Sequence, residues 1–329
     1  MIGPFTRVPG TVVDRQPDLW WAAKDVFNPG AVVRDATVHL LVRGEDTIGR
    51  FAGTSRIGIA TSRDGTTFAV EPEPVLVPST EWEAEGGCED PRVVEAPDGM
   101  YVCTYTGFDG ARPRLMVATS ADLRSWTTHG LAFADTPYAE WSTKSGAIVT
   151  SLVGERLIAT RVAGSYWMYF GEGVMYAATS DDLIHWTPLE YDANGDRTLS
   201  MENGQWRVHR VPGVRVLRPV LMPRRDRFDE RVVEPGPPAL LTDEGIVLIY
   251  NGSDRDFAYA PGQAVFDPQD PTACIARATE PFLRPETPEE QHGQVDNVCF
   301  AEGLVAHNGQ WWLYFGMADS RIGCAVAPL

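Results

Sequence analysis

IGIATSRDGTTF (57–68), LMVATSADLRSWT (115–127) and MYAATSDDLIHWT (175–187) are three copies of one scheme, apolar-x-Ala-Thr-Ser-x-Asp-(Gly/Leu)-x-x-aromatic. Ala60, Ala118 and Ala178 recur at intervals of 58 and 60 residues. Each copy reads as a strand, a tight turn and a second strand. The Ala-Thr-Ser run alternates small apolar and hydroxyl side chains, Asp-Gly or Asp-Leu supplies the turn, and Phe68, Trp126 or Trp186 opens the partner strand. CIARATEPFL (274–283) is a weaker echo, and IGCAVAPL (322–329) ends the chain with the strand half of the unit.

Working outward, further strand-like runs lie between the copies: VHLLVRG (38–44), MYVCTYTGF (100–108), RLIATRV (156–162), SYWMYFGE (165–172), GIVLIYNG (245–252) and QWWLYFGMAD (310–319). No segment sustains a helical period with caps. Many short strands, 31 Gly, 25 Pro and a repeat of this length predict an all-β five-bladed β-propeller. The blades fall at roughly 28–70, 88–128, 143–188, 232–277 and 295–326, within a single domain spanning 1–329. A β-sandwich is the alternative, but it leaves the even spacing unexplained. Residues 189–231 are polar, Arg-rich and poor in strand signals; they read as an irregular insertion between blades that borders the site.

Composition narrows the partners. The formal net charge is −17, a field that repels phosphate backbones and anionic membranes, so neither nucleic acid nor membrane is expected. Five scattered cysteines (88, 103, 274, 299, 324) with no CxxC pair predict reduced thiols and neither a disulfide framework nor a zinc site. The first twenty residues lack a basic n-region followed by an apolar h-region, which predicts a cytoplasmic protein. Oligomeric state is left open, a homo-oligomer included.

A propeller has one natural site, the funnel at the end of its channel. Candidate lining residues are polar groups just ahead of apolar runs. In Glu89-Asp90-Pro91-Arg92, successive side chains of an extended strand face opposite ways, so one carboxylate is expected to face the funnel, with Arg92 beside it; a solvated surface turn is the plain alternative. Glu234, in VVEPGPPALL, sits on a backbone stiffened by prolines, where partial desolvation would raise its pKa toward acid–base duty; otherwise it caps a turn. Lys144 and Arg161 are ordinary ion-pair partners singly, and together they would hold an anion such as phosphate. Carboxylates with aromatics suggest glycoside chemistry. GxSxG, GxxxxGK[ST] and HExxH are all missing, which argues against serine hydrolase, nucleotide-binding and zincin readings.

Taken in order, these segments resemble glycoside hydrolase family 130, the mannoside phosphorylases and β-mannosidases: Asn28-Pro29-Gly30-Ala31, the Arg43 region, RIGIATSRDG, GGCEDPR, STKSGAIV with Lys144, Arg161, EPGPP, LIYNG and DNVCFAEGLV…LYFGMADSRIG. The resemblance covers nearly the whole chain and is weakest over 189–231. It implies a five-bladed fold, manno-oligosaccharide or other β-mannoside substrates, and inversion without metal or organic cofactor. It also implies that Asp90 is the proton donor and that Asn28, Arg43, Arg92 and Asp319 line the sugar pocket. In the phosphorylases a Tyr-His-Gly segment helps bind phosphate; here it is Tyr250-Asn251-Gly252, so Asn251 replaces that cation. The expectation is therefore an exo-acting β-mannosidase, on β-1,2 linkages by analogy with the hydrolytic branch, with Glu234 as general base. Lys144 and Arg161 match basic positions of the phosphate site and keep alive a phosphorylase with inorganic phosphate as co-substrate. A non-catalytic sugar-binding propeller and a furanosidase-type propeller are the readings from other classes.

Overall fold

The computed structural model describes residues 1–47, 53–190, 198–202, 205–209 and 216–329, with backbone strands alone over 198–209. The chain is all-β; its helical content among the described residues is one turn at Pro288–Gln291 and a 3-10 turn at Glu81–Glu83.

Five antiparallel meanders follow one another along the chain. The first runs Asp25–Arg34, Thr37–Glu45, Ser55–Ser62 and Ala69–Val70. The second runs Gly87–Glu95, Tyr101–Phe108, Pro113–Ser120 and Trp126–Leu131. In the third, Ala147–Val153 and Arg161–Val162 flank Ser165–Phe170, which pairs with Met175–Ser180. The fourth opens on a strand split into Val232–Pro235 and Ala239–Thr242, then Gly245–Ser253, Tyr259–Phe266 and Cys274–Arg277. The fifth is Cys299–His307, Gln310–Met317 and Arg321–Pro328, completed by Thr6–Arg7 from the other end of the chain.

The repeat marks the third strand of a meander and the turn after it, and the turn chemistry is uniform. The Asp64, Asp122 and Asp182 carboxylates each accept two backbone N–H groups, from Thr66 and Thr67, Arg124 and Ser125, and Ile184 and His185. Ser62, Ser120 and Ser180 hydroxyls accept from the residue three positions on. That residue is left-handed in all three, with φ of 82° at Gly65, 67° at Leu123 and 68° at Leu183. Glycine takes this conformation freely, whereas the two leucines adopt it while burying their side chains. CIARATEPFL is a false echo: Cys274–Arg277 is a fourth strand, and the third strand of that meander is Tyr259–Phe266.

Five apolar clusters are each built mainly from two neighbouring meanders, the first and fifth included. Polar ties follow the same cycle. Asn28 donates to Asp90, Thr104 to the Gly146 carbonyl, and Thr150 to the Ala239 carbonyl, while Asn251 and Ala301 exchange a pair of hydrogen bonds. First strands also approach closely: a Cβ on Gly30 would lie 2.4 Å from the Pro91 oxygen, and one on Gly303 2.7 Å from the Pro29 oxygen. The stretch expected to lack strands contains a hairpin, Thr198–Glu202 with Gln205–His209, and Pro219–Leu221 pairs with Met175–Ser180. Residues 191–197, 203–204 and 210–215 lie outside the described residues, and with them much of the expectation that this insertion borders the site.

Candidate active site

Three of the first strands break register at matching points: between Phe27 and Gly30, between Glu89 and Arg92, and between Ala301 and Gly303. Asn28 and Asp90 occupy two of these bulges in left-handed conformation, at φ 45° and 49°, each directly before a proline. Asn and Asp tolerate this region better than other side chains, and such backbone outliers gather where a side chain must be re-aimed. Of Glu89 and Asp90, only Asp90 lines the adjoining cavity, and through the bulge both carboxylates also reach the same guanidinium. Arg43 Nη2 lies 2.8 Å from Glu89 Oε1, and its Nη1 lies 3.0 Å from Asp90 Oδ1.

A cavity of about 180 Å³ opens here, lined by Asn28, Arg43, Asp90, Lys144, Glu172, Glu234, Tyr259, Val295, Val298, Phe300 and Asp319. Its polar wall comes from the first four meanders and the Ala318–Asp319 turn, both residues of which are also left-handed at φ 48°. Its apolar wall comes from Tyr259 and residues 295–300. Asp90 accepts from Asn28 Nδ2 at 3.0 Å. Lys144 Nζ stands 3.7 Å from Asp90 Oδ2, 3.4 Å from Glu234 Oε1 and 3.9 Å from Glu172 Oε1. Because one ammonium touches both, the two facing oxygens of Asp90 and Glu234 are at most about 7 Å apart, a bound that takes in the start of the roughly 6.5–9.5 Å range of inverting pairs and the roughly 5–5.5 Å of retaining ones. Ser145, at φ 62°, donates a hydrogen bond to Glu234.

The acids divide electrostatically. Burial works to raise Asp90, but Arg43, Lys144 and Arg92 outweigh it and hold this carboxyl well below the ordinary range. Burial raises Glu234 to about 7 against the pull of Lys144, and raises Glu89 to about 7 against that of Arg43. Asp319 is lifted to about 6 by burial. Burial would lower Lys144, yet Glu234, Glu172 and Asp90 keep it well above the usual lysine value.

Of the residues expected from sequence, Asn28, Arg43, Asp90, Lys144, Glu234 and Asp319 line this one cavity. Three do not. Arg161 points outward, donating to the Gly164 and Asp181 carbonyls, pairing with the Asp181 carboxylate and stacking on Tyr166. Asn251 is fully buried and spends its amide on Ala301 of the next meander. Arg92 is buried behind the wall, donating to the Asp90, Pro235 and Gly236 carbonyls. Sequence reasoning missed Glu172, Ser145, Tyr259 and Phe300. The first two lie in quoted segments, where a polar group beside a glycine (Gly171 or Gly146) was the available signal. Among the described residues no three His, Cys, Asp or Glu are grouped to hold a metal ion, and no helix is long and apolar enough to cross a membrane. All five cysteines are free thiols.

Comparison with known proteins covers the same span. A family model described as β-1,4-mannooligosaccharide phosphorylase matches residues 15–329. A 1,2-β-oligomannan phosphorylase of Thermoanaerobacter is 31% identical over 94% of this chain and 92% of its own length. A solved Bacteroides ovatus glycosyl hydrolase is 39% identical with a TM-score of 0.88, covering 100% of this chain and 96% of that one. Another solved structure, 37% identical with a TM-score of 0.88 over 99% of this chain and 94% of the other, comes with the statement that this family of mannoside phosphorylases contains glycoside hydrolases targeting β-1,2 mannosidic linkages in Candida mannan.

Proposed function

The chain belongs to glycoside hydrolase family 130, and from that premise we propose that it is an inverting, exo-acting β-mannosidase that attacks the glycosidic carbon with water rather than phosphate. The five meanders are read as the blades of a propeller, with the cavity at the mouth of its channel. A space of about 180 Å³ is smaller than the roughly 300–1,000 Å³ of sites for larger ligands, which fits release of one terminal sugar at a time.

The observation that carries the hydrolytic reading is Glu234. It shares the cavity with Asp90, and both of the cavity's cations, Lys144 and Arg43, are already held by acids. In the substrate complex, where Glu234 has given up its proton, two like unit charges about 4 Å apart cost about 4 kcal/mol at an effective dielectric near 20, so a phosphate dianion beside this group would be repelled. Arg161, the second expected phosphate ligand, is turned to the surface.

Inversion needs one proton on the pair: an acid for the leaving oxygen and a carboxylate for the water. With Asp90 ionised and Glu234 titrating at about 7, the pair holds one proton below that value and about half of one at neutrality. The free pocket keeps that proton on the Glu234 side. Productive binding must therefore transfer it to Asp90, and the sugar does so by covering Asp90 from water and engaging Arg43 and Lys144 through its hydroxyls. Glu234, left ionised beside Lys144, then accepts a proton from the attacking water.

A second reading, phosphorolysis to mannose 1-phosphate, is favoured by the phosphorylase relatives at 30–31% identity. Incubation with β-1,2- and β-1,4-mannobiose, with and without phosphate, separates the two. Free mannose at equal rates in both buffers supports hydrolysis. Mannose 1-phosphate formed only with phosphate supports the second reading.

A further inference from the structure

Arg92 is 1% exposed and reaches the backbone of both acid-bearing segments. Its Nη1 donates to the Asp90 carbonyl at 3.1 Å, closing the left-handed bulge that aims the Asp90 carboxylate. Its Nη2 donates to the Pro235 carbonyl at 2.8 Å and its Nε to the Gly236 carbonyl at 2.7 Å, gripping the chain immediately after Glu234. These acceptors are 143 and 144 residues away in sequence, on the fourth meander. Behind it lies Glu302, wholly buried, with both oxygens lacking a hydrogen-bond partner among the described residues and the nearer one 3.7 Å from Arg92 Nη1. Burial raises this carboxyl well above its usual range, and at 3.7 Å it makes no hydrogen bond to the guanidinium, whose donors go to the three carbonyls. A planar guanidinium can serve three acceptors in fixed directions at once; an ammonium on a flexible stem cannot.

We propose that Arg92 is a positioning residue that ties the Asp90 segment to the Glu234 segment and so fixes the gap in which substrate and the attacking water are held. This rests on the hydrolytic pairing of those two acids. Arg92 touches neither sugar nor water; it acts through the backbone it holds. A displacement of about 1 Å at reacting groups costs on the order of 10²-fold in rate, and that is the size of effect expected.

The test is Arg92→Lys, assayed on β-1,2-mannobiose beside wild type. The lysine keeps the charge and loses the three-point grip. The expected result is kcat lowered about 10²-fold with KM within about threefold, and an alkaline limb of the pH profile unmoved because the charge is retained. Arg92→Gln should lose kcat similarly and also move that limb upward. Wild-type kcat in folded Arg92→Lys overturns the proposal, as does a loss confined to KM. If neither variant folds at any assay temperature, Arg92 is a folding residue and the proposal falls. Failure of the underlying reading is seen separately, as mannose 1-phosphate from the wild-type enzyme.

Discussion

Two sets of acids in this molecule have opposite surroundings. Asp64, Asp122 and Asp182 lie at surface turns, each held by two backbone N–H donors; those bonds keep Asp122 at about 2 and hold Asp64 lower still, and at Asp182 the His185 side chain adds to them. Asp90, Glu234 and Asp319 line one cavity, with Glu89 beside it on Arg43, and there burial pushes upward while Arg43 and Lys144 pull back. The first set recurs with the repeat and fixes turns. The second follows no repeat: Glu89 and Asp90 sit at a bulge, Asp319 in a left-handed turn and Glu234 where a first strand is split, and all but Asp90 titrate near neutrality. Repetition marks what holds the molecule together; departure from repetition marks where it can react.

The contrast is sharpest in activity. Asp90→Asn and Glu234→Gln should each lower kcat by about 10³-fold, near the middle of the range for removing an acid–base group. Steady-state kinetics on β-1,2-mannobiose checks this, and a loss of less than tenfold in both would erase the distinction between the two sets. Next is pH. If activity needs one proton on the proposed pair, kcat/KM should fall about tenfold per unit above pH about 7 as Glu234 gives its proton up. On the acid side it should persist until Asp90 protonates, below the ordinary carboxylate range. A profile rising through pH 8 would contradict this.

A smaller effect concerns stability. Glu234 has a folded pKa of about 7 against about 4.3 in an unfolded chain, so between those values the folded state binds more protons and stability falls as pH rises. Glu234→Gln removes that contribution. Its melting temperature should exceed that of wild type at pH 8 and match it near pH 4.5, measured by thermal unfolding in both buffers. The smallest expected change is in the turn set. Asp122→Ala leaves two N–H groups at the surface to water and should cost about 1 kcal/mol, read from denaturant unfolding, with kcat and KM unchanged.

The all-β class and the meander boundaries were legible because turn chemistry is local: Ser-x-Asp-(Gly/Leu) supplies its own hydrogen bonds within a few residues. The pairing of Thr6–Arg7 with Arg321–Pro328 was not, since a two-residue strand carries no period and its partner lies at the far end of the chain. Within the site, Asp90 and Glu234 could be singled out as acids ahead of apolar runs. The places of Arg92, Arg161 and Asn251 were not readable in the same way. Whether a guanidinium faces a cavity, a carbonyl or solvent depends on which distant strand packs beside it. Arg92 finds carbonyls of the fourth meander, whereas Arg161 finds its own meander's Asp181 at the surface. At Glu89-Asp90 one carboxylate, that of Asp90, lines the cavity, but the left-handed bulge through which both acids also reach Arg43 is not readable from strand alternation.

The account stands on Asp90 and Glu234 working from opposite sides of one water-admitting gap. Proton NMR of the first mannose released from β-1,2-mannobiose, recorded before mutarotation, tests it most directly. The α anomer, appearing at the same rate with or without phosphate, is the predicted result. The β anomer, or α-mannose 1-phosphate in its place, would contradict it.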